Sequence, residues 1–126
     1  MKVYDAPNIR NVAIVGHGGC GKTSLASALL FDAGAVNRLG RVDDGTTVTD
    51  FDPDEIERKI SLLSAPAFAE WKKAKVNILD APGYANFLSE ARAALRVADS
   101  AVVVVDADGV RLDDERWSAD VRALTA

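Results

Sequence analysis

The stretch that decides the fold is Gly16-His17-Gly18-Gly19-Cys20-Gly21-Lys22-Thr23, which reads G-x-x-x-x-G-K-T. It follows directly on the apolar run Asn11–Val15, which predicts a buried strand, and precedes Ser24–Leu30, which predicts a helix. Glycines let the backbone turn its N–H groups inward, and a helix N-terminus adds unpaired donors and a partial positive charge. We therefore interpret residues 16–23 as a phosphate-binding loop, called the phosphate loop below. In it Lys22 reaches the β- and γ-phosphates and Thr23 ligates Mg²⁺.

The second half of the predicted site is Asp80-Ala81-Pro82-Gly83, which follows the apolar strand residues Val76–Leu79. An aspartate at the carboxyl end of a strand beside the first strand would face the phosphate loop, across the crevice where such sheets bind ligands. There Asp80 can hold Mg²⁺, directly or through water. The turn that follows would present the N–H group of Gly83 to the γ-phosphate.

Apolar patterns along the chain alternate between strand-like and helical, which favours an α/β fold with a largely parallel sheet. We expect a three-layer sandwich of about four strands, one of them antiparallel in a hairpin. The last strand would lie at an exposed apolar edge, which predicts a loss of stability or self-association. The predicted strands are Asn11–Val15, Ala67–Trp71, Val76–Asp80 and the buried Ser100–Val105, and the predicted helices are Lys22–Ala33, Tyr84–Ala98 and Leu112–Leu124.

Residues 35–64 interrupt this alternation, because they carry no clear apolar period. Long irregular segments inside a compact domain are usually functional, so we predict a mobile loop with a short helix at Pro53–Lys59. Its acidic residues are predicted to be solvated loop charges rather than a metal site. These residues are Asp43, Asp44, Asp52, Asp54 and Glu55.

Composition narrows the class of protein. The chain has 126 residues with 48% apolar and 27% charged content, and its single cysteine excludes an internal disulfide and suits a reducing cytoplasm. The longest apolar run, Ala101–Val105, is too short to cross a bilayer. A net charge of −4 argues against non-specific nucleic-acid binding by this segment. We therefore expect a cytoplasmic protein that does not contact membranes.

Both motifs, with Ile9–Val12 leading in, resemble the G domain of translational GTPases, in particular elongation factor G and its elongation-factor-G-like relatives. The similarity runs from about Ile9 to Ala107, and the stretch from Gly45 to Pro53 looks like switch I of that branch. Residues 35–64 are therefore called the switch I segment below. The resemblance implies a P-loop NTPase fold, GTP or GDP bound with Mg²⁺, GTP hydrolysis by the full-length protein, and the ribosome as partner.

The resemblance also implies roles for individual residues, with departures. Tyr84 stands where the family commonly has a histidine that positions the attacking water, so Lys22 and Tyr84 are the expected catalytic residues. Ser61 would serve in place of the switch I threonine, and Thr23, Ser61 and Asp80 would hold Mg²⁺ and its shell. Gly19 stands where the family usually has an aspartate. The expected nucleotide-binding residues are Gly16, His17, Gly18, Gly19, Cys20, Gly21, Lys22, Thr23, Ser24 and Gly83.

Residues 1–126 are interpreted as part of a G domain, with the phosphate loop, switch I and switch II but without the guanine-reading Asn-Lys-x-Asp motif. A preference for GTP over ATP therefore rests on the resemblance, and this piece by itself is expected to be weak or inactive. Two other functions stay open. One is a nucleotide-binding switch with little or no hydrolysis, which Tyr84 favours, and the other is an unrelated P-loop ATPase.

Overall fold

The computed structural model describes residues 2–106. Two 3-10 turns, Ala6–Asn8 and Ala85–Phe87, accompany the regular elements. The predicted helix at Leu112–Leu124 lies outside the described residues. The regular elements in chain order are β1 (Ile9–Gly16), α1 (Lys22–Asp32), α2 (Pro53–Arg58), β2 (Ala65–Trp71), β3 (Ala74–Asp80), α3 (Leu88–Val97) and β4 (Ser100–Val104).

Strand β1 lies inside a four-stranded sheet of order β2-β3-β1-β4 and is buried on both faces. Ala13 and Val15 pack in one apolar cluster with residues of α3, whereas Ile14 packs in a second cluster with Leu30 of α1. Successive side chains of a strand point to opposite faces, so one helix covers each face of the sheet. The predicted three-layer α/β sandwich is confirmed.

Strand directions bring the two sequence motifs together. β1 pairs in parallel with β3 and with β4, and β2 pairs with β3 in antiparallel fashion. The β2–β3 turn is the two-residue Lys72-Lys73, with φ of 44° and 71°, which suits the twist of a tight hairpin. In the parallel pair Ile14 lies opposite Asp80, so the phosphate loop and the residues after β3 leave the same end of the sheet.

A row of polar side chains joins three strands at the other end of the sheet. The Asn77 side-chain amide donates to Oδ1 of Asn11 across β3 and β1, at 2.8 Å. The backbone N–H of Asn11 donates to Oδ2 of Asp99 at 2.7 Å, and the N–H of Asp99 donates to the Asn11 carbonyl at 2.8 Å. These hydrogen bonds can form only when the bonded residues lie opposite one another, so they fix the register of the strands.

Two predicted elements differ from the structure. The strand predicted as buried at Ser100–Val105 ends at Val104, and its Val102 and Val103 are 42% and 47% exposed, because β4 is the edge of the described sheet, which agrees with the predicted exposed edge. Self-association through this edge stays a prediction. The helix expected from Tyr84 begins as an α-helix at Leu88, because Tyr84 has an extended backbone and a 3-10 turn follows it.

The switch I segment contains the expected short helix, α2, which begins with a capping box. The Asp52 side chain accepts from the backbone N–H of Asp54, and the Glu55 side chain accepts from that of Asp52. The prediction that Glu55 is solvated is wrong. Its side chain is 2% exposed because its carboxylate accepts the N–H groups of Leu62 and Leu63, at 2.9 and 3.1 Å.

Candidate nucleotide-binding site

The first turn of α1 is open to an anion. Gly21 is the N-cap residue, in the left-handed conformation with φ of 92°, and no side chain caps the helix. The first N–H groups of a helix have no partner within the helix. At the N-terminus of α1 they therefore stay available to bind phosphate oxygens.

Lys22 is held over the phosphate loop. Its side chain is 6% exposed, and its ammonium donates to the His17 carbonyl at 2.7 Å. The same nitrogen lies 3.9 Å from Sγ of Cys20. The bond to His17 joins the ammonium to a neutral carbonyl oxygen rather than to a carboxylate.

Gly83 brings the second motif against the phosphate loop. A β-carbon added to Gly83 would overlap the ammonium of Lys22 and would lie 2.6 Å from the Gly16 carbonyl oxygen and from the Gly18 nitrogen. The close approach of the two segments thus requires a residue without a side chain at position 83. The structure brings these two predicted parts of the site into contact.

Asp80 lies beneath the site and is 1% exposed. Its Oδ2 accepts a hydrogen bond from the Thr49 hydroxyl at 2.9 Å, whereas its Oδ1 is buried without a hydrogen-bond partner in the described part of the chain. Burial raises the pKa of the Asp80 carboxyl, and the charge of Asp50 adds to this; the Thr23 and Thr49 hydroxyls and Lys22 act in the opposite direction. A buried carboxylate oxygen without a hydrogen-bond partner is suited to bind a cation.

Ser61 connects the switch I segment to the phosphate loop. Its hydroxyl donates to Oδ1 of Asp50 at 2.7 Å and lies 3.1 Å from the hydroxyl oxygen of Thr23. Asp50 is 4% exposed, and burial raises the pKa of its carboxyl. The charge of Glu55 also raises this pKa, while the Ser61 hydrogen bond and Lys22 lower it. A chain of hydroxyls and carboxylates thus joins the two segments.

These residues surround one cavity of about 290 Å³. Predicted site residues in its wall are Gly18, Gly19, Gly21, Lys22, Thr23, Ser24, Ser61, Gly83 and Tyr84. The other predicted site residues, which are Gly16, His17, Cys20 and Asp80, do not line this cavity. Residues of the wall that sequence reasoning missed are Val42, Asp43, Asp50, Lys59 and Ile60.

Asp50 and Thr49 are the functional candidates that were missed. Both lie in the stretch from Gly45 to Pro53 that resembles switch I, which was the available signal. The apolar pattern gave no such signal, because their burial depends on polar contacts: that of Thr49 with Asp80, 31 residues away, and that of Asp50 with Ser61, 11 residues away.

The family of the chain follows from comparison with known proteins. A family model described as the elongation factor Tu GTP binding domain matches residues 7–121. The chain belongs to this family. The match includes the phosphate loop, the switch I segment and the residues after β3, so the contacts described above lie within an elongation factor Tu GTP binding domain.

Individual relatives agree with the family. The chain is 43% identical over 116 residues to a mitochondrial ribosome-releasing factor 2 of Debaryomyces hansenii, covering 91% of this chain and 14% of the relative. It is also 43% identical over 106 residues to elongation factor G of Petrotoga mobilis, covering 84% of this chain and 15% of the relative. The chain thus spans a small part of the length of these relatives.

A crystal structure of a protein from Thermus thermophilus has the same fold. It matches with a TM-score of 0.80 and 43% identity, over 90% of this chain and 17% of that one. None of the helices in residues 2–106 has the length and apolar character needed to cross a membrane. Across the same residues no three His, Cys, Asp or Glu side chains cluster as a metal site.

Proposed function

We propose that this chain is the GTP-binding part of an elongation-factor-G-like translational GTPase, which acts on the ribosome in the cytoplasm. The observation that carries the proposal is the single cleft that holds Lys22, Thr23, Ser61 and Gly83 above the buried carboxylate of Asp80. Each of these groups matches a need of a nucleoside triphosphate bound with Mg²⁺. Family membership supports guanine as the base, and the named relatives support the ribosome as the partner.

The oxygen atoms of the cleft fit Mg²⁺, which prefers hard oxygen ligands and keeps several waters. The Thr23 and Ser61 hydroxyls lie 3.1 Å apart, and the unpartnered Oδ1 of Asp80 supplies a carboxylate oxygen for the hydration shell. Asp50 holds Ser61 through a 2.7 Å hydrogen bond. When bound, Mg²⁺ would neutralise charge on the β- and γ-phosphate oxygens.

The protein's own part in phosphoryl transfer is to position and to stabilise charge. Lys22 would exchange its bond to the His17 carbonyl for phosphate oxygens, where its charge favours the transition state. The N–H groups of the first turn of α1 would hold the β-phosphate, and that of Gly83 the γ-phosphate. Contact with the γ-phosphate would order the switch I segment and residues 81–86, which would relax after hydrolysis.

Tyr84 decides how fast this site hydrolyses GTP. Its ring lines the cavity and is 41% exposed, so its hydroxyl can contact water near the γ-phosphate. A phenol does not exchange protons near neutral pH as an imidazole does. We infer that it orients water less well than a histidine would, and a nucleotide switch with slow hydrolysis is the second candidate function.

The test uses the full-length protein with GTP, GDP and ATP. We expect tight GTP binding by calorimetry, weaker ATP binding, and GTP hydrolysis that ribosomes stimulate. The variant Lys22→Ala should reduce GTP affinity by at least about a hundredfold, since it leaves the phosphates without their buried cation. Lys72→Ala, in the hairpin turn at the other end of the sheet, is the matched control. Equal affinity for ATP and GTP would favour the P-loop ATPase, and binding without hydrolysis would favour the switch.

A further inference from the structure

Lys59 has a backbone conformation that is unusual for its side chain. It is the C-cap residue of α2, with φ of 55° and ψ of 36°, in the left-handed region. Glycine adopts this conformation without steric strain, whereas a residue with a β-carbon does not. Strained residues of this kind are common at ligand sites, where the strain is tolerated for function.

The position of Lys59 offers such a function. It lies in the wall of the phosphate cavity with Lys22, Gly83 and Tyr84, two residues before Ser61. Its side chain is exposed, and it makes no ion pair with any residue that the structure describes. The charged groups that share the cavity wall with it are Lys22, Asp43 and Asp50.

The charge of the cavity is incomplete for a triphosphate. Without Lys59, the ammonium of Lys22 faces two carboxylates in the wall, so the wall would repel a ligand that carries several negative charges. The uncapped N-terminus of α1 adds a partial positive charge. Bound Mg²⁺ would add positive charge on the phosphates, and Lys59 is the second cationic side chain in the wall, beside Lys22.

The segment that carries Lys59 is fixed in place. The backbone carbonyl of Glu55 accepts the N–H groups of Lys59 and Ile60, and its carboxylate accepts those of Leu62 and Leu63. The backbone of Lys59 is thus anchored beside the cavity while its long side chain stays free to reach a ligand.

We propose that Lys59 is a second phosphate-binding cation, whose ammonium binds the terminal phosphate of the nucleoside triphosphate from the switch I segment. This inference rests on the proposed function, and it adds a group that binds the triphosphate in preference to the diphosphate. Ser61 contacts Thr23 beside the γ-phosphate position, which places Lys59 near the terminal phosphate rather than the base. The other explanation is that Lys59 merely ends α2.

The two explanations differ in what a glycine does at position 59. Lys59→Gly removes the cation and relieves the backbone strain, whereas Lys59→Gln removes the cation and keeps the strain. In the full-length protein with Mg²⁺, we expect both variants to lose about tenfold in GTP affinity and less than about twofold in GDP affinity. Lys59→Gly should unfold at an equal or higher temperature than the wild type, and Lys59→Arg should keep its GTP affinity.

Lys73→Gly is the matched control, because Lys73 is also left-handed, with φ of 71°, but lies in the hairpin turn away from the cavity. It should gain similar stability and leave both affinities unchanged. GTP affinities of Lys59→Gly and Lys59→Gln within about twofold of the wild type would overturn the inference and leave Lys59 as a helix end. In that case the wild type would still bind GTP, and the proposed function would stand. A wild type that binds neither GTP nor GDP would overturn the proposed function together with the inference on Lys59.

Discussion

The phenol ring of Tyr84 lies against Gly18 of the phosphate loop. A β-carbon added to Gly18 would be 2.6 Å from Cζ of Tyr84 and within 2.8 Å of both Cε atoms. Position 18 thus needs a glycine for space, since the ring occupies the place of a side chain. The residue at position 84, after the Asp80–Gly83 turn, and the residue at position 18 of the phosphate loop therefore constrain each other.

This coupling can be measured with Gly18→Ala. The added methyl group should displace the Tyr84 ring, which is 41% exposed, so the loss of stability should stay below about 1 kcal/mol. GTP hydrolysis should fall in the wild-type background but not further in Tyr84→Ala. Gly34→Ala places its methyl group in open space but at a φ of 69°, so it should lose stability through backbone strain and leave GTP hydrolysis unchanged, which makes it the control for activity. Additive effects of the two changes would refute the coupling.

A second prediction concerns Tyr84 itself. Tyr84→His should increase ribosome-stimulated GTP hydrolysis by at least about tenfold, because an imidazole can position and exchange protons near neutral pH. Single-turnover hydrolysis measures the chemical step. Tyr84→Phe serves as the control for packing on Gly18, since it keeps the ring and removes the hydroxyl. An unchanged or lower rate for the histidine variant would mean that the tyrosine is competent or that another group positions the water.

The buried carboxylate of Asp80 predicts a pH dependence of stability. Its pKa in the folded chain is raised above the ordinary value of 3.8. At pH values between 3.8 and this raised pKa, the folded chain therefore binds more protons than the unfolded chain. Without Mg²⁺ and nucleotide, the contribution of Asp80 to the free energy of unfolding should therefore fall as pH rises through its raised pKa. Asp80→Asn lacks this contribution and keeps an oxygen that can accept from Thr49.

The measurement is urea unfolding in a chelator, from about pH 7 down to about pH 4, close to the ordinary pKa of the carboxyl. Asp80→Asn should be more stable than the wild type at neutral pH, and the difference should shrink as pH falls. Asp44→Asn, which changes an exposed loop carboxylate, should show no such difference. With Mg²⁺ and GTP the order should reverse, because the variant lacks the charge that the cation needs. A stability difference that does not vary with pH would contradict the raised pKa.

Glu55 predicts a local loss of order in the switch I segment. Glu55→Ala leaves the N–H groups of Leu62 and Leu63 without their acceptor and should reduce stability by about 1–3 kcal/mol. Amide hydrogen exchange at these two residues should accelerate more than exchange in the central strand β1. Glu57→Ala, in the same helix but exposed, should change neither quantity by a comparable amount. Equal acceleration across the chain would show that Glu55 acts on global stability instead.

Much of the fold was predictable because the strands β1 and β3 have apolar patterns and are followed by glycine-containing motifs of fixed spacing. Those motifs alone placed Lys22 and Asp80 at one site. The switch I segment was not predictable in the same way, because its order comes from single polar contacts. Glu55 resembles any acidic residue of an exposed helix, and its burial follows from backbone N–H groups that a sequence pattern does not reveal. The sequence likewise gives no signal of the left-handed backbone at Lys59, because lysine is not a residue type that is typical of that conformation.

The hydrogen bond between Asn77 and Asn11 has a consequence at the opposite end of the sheet. A slip of one residue between β3 and β1 would turn the side chains of β3 to the other face. Asp80 would then point away from Thr49 and from the phosphate loop. The alignment of the two halves of the site is thus decided three residues, or roughly 10 Å along the strand, before Asp80. A protein that keeps every residue of the cavity can therefore still lose its affinity for nucleotide, through an amide that never touches it.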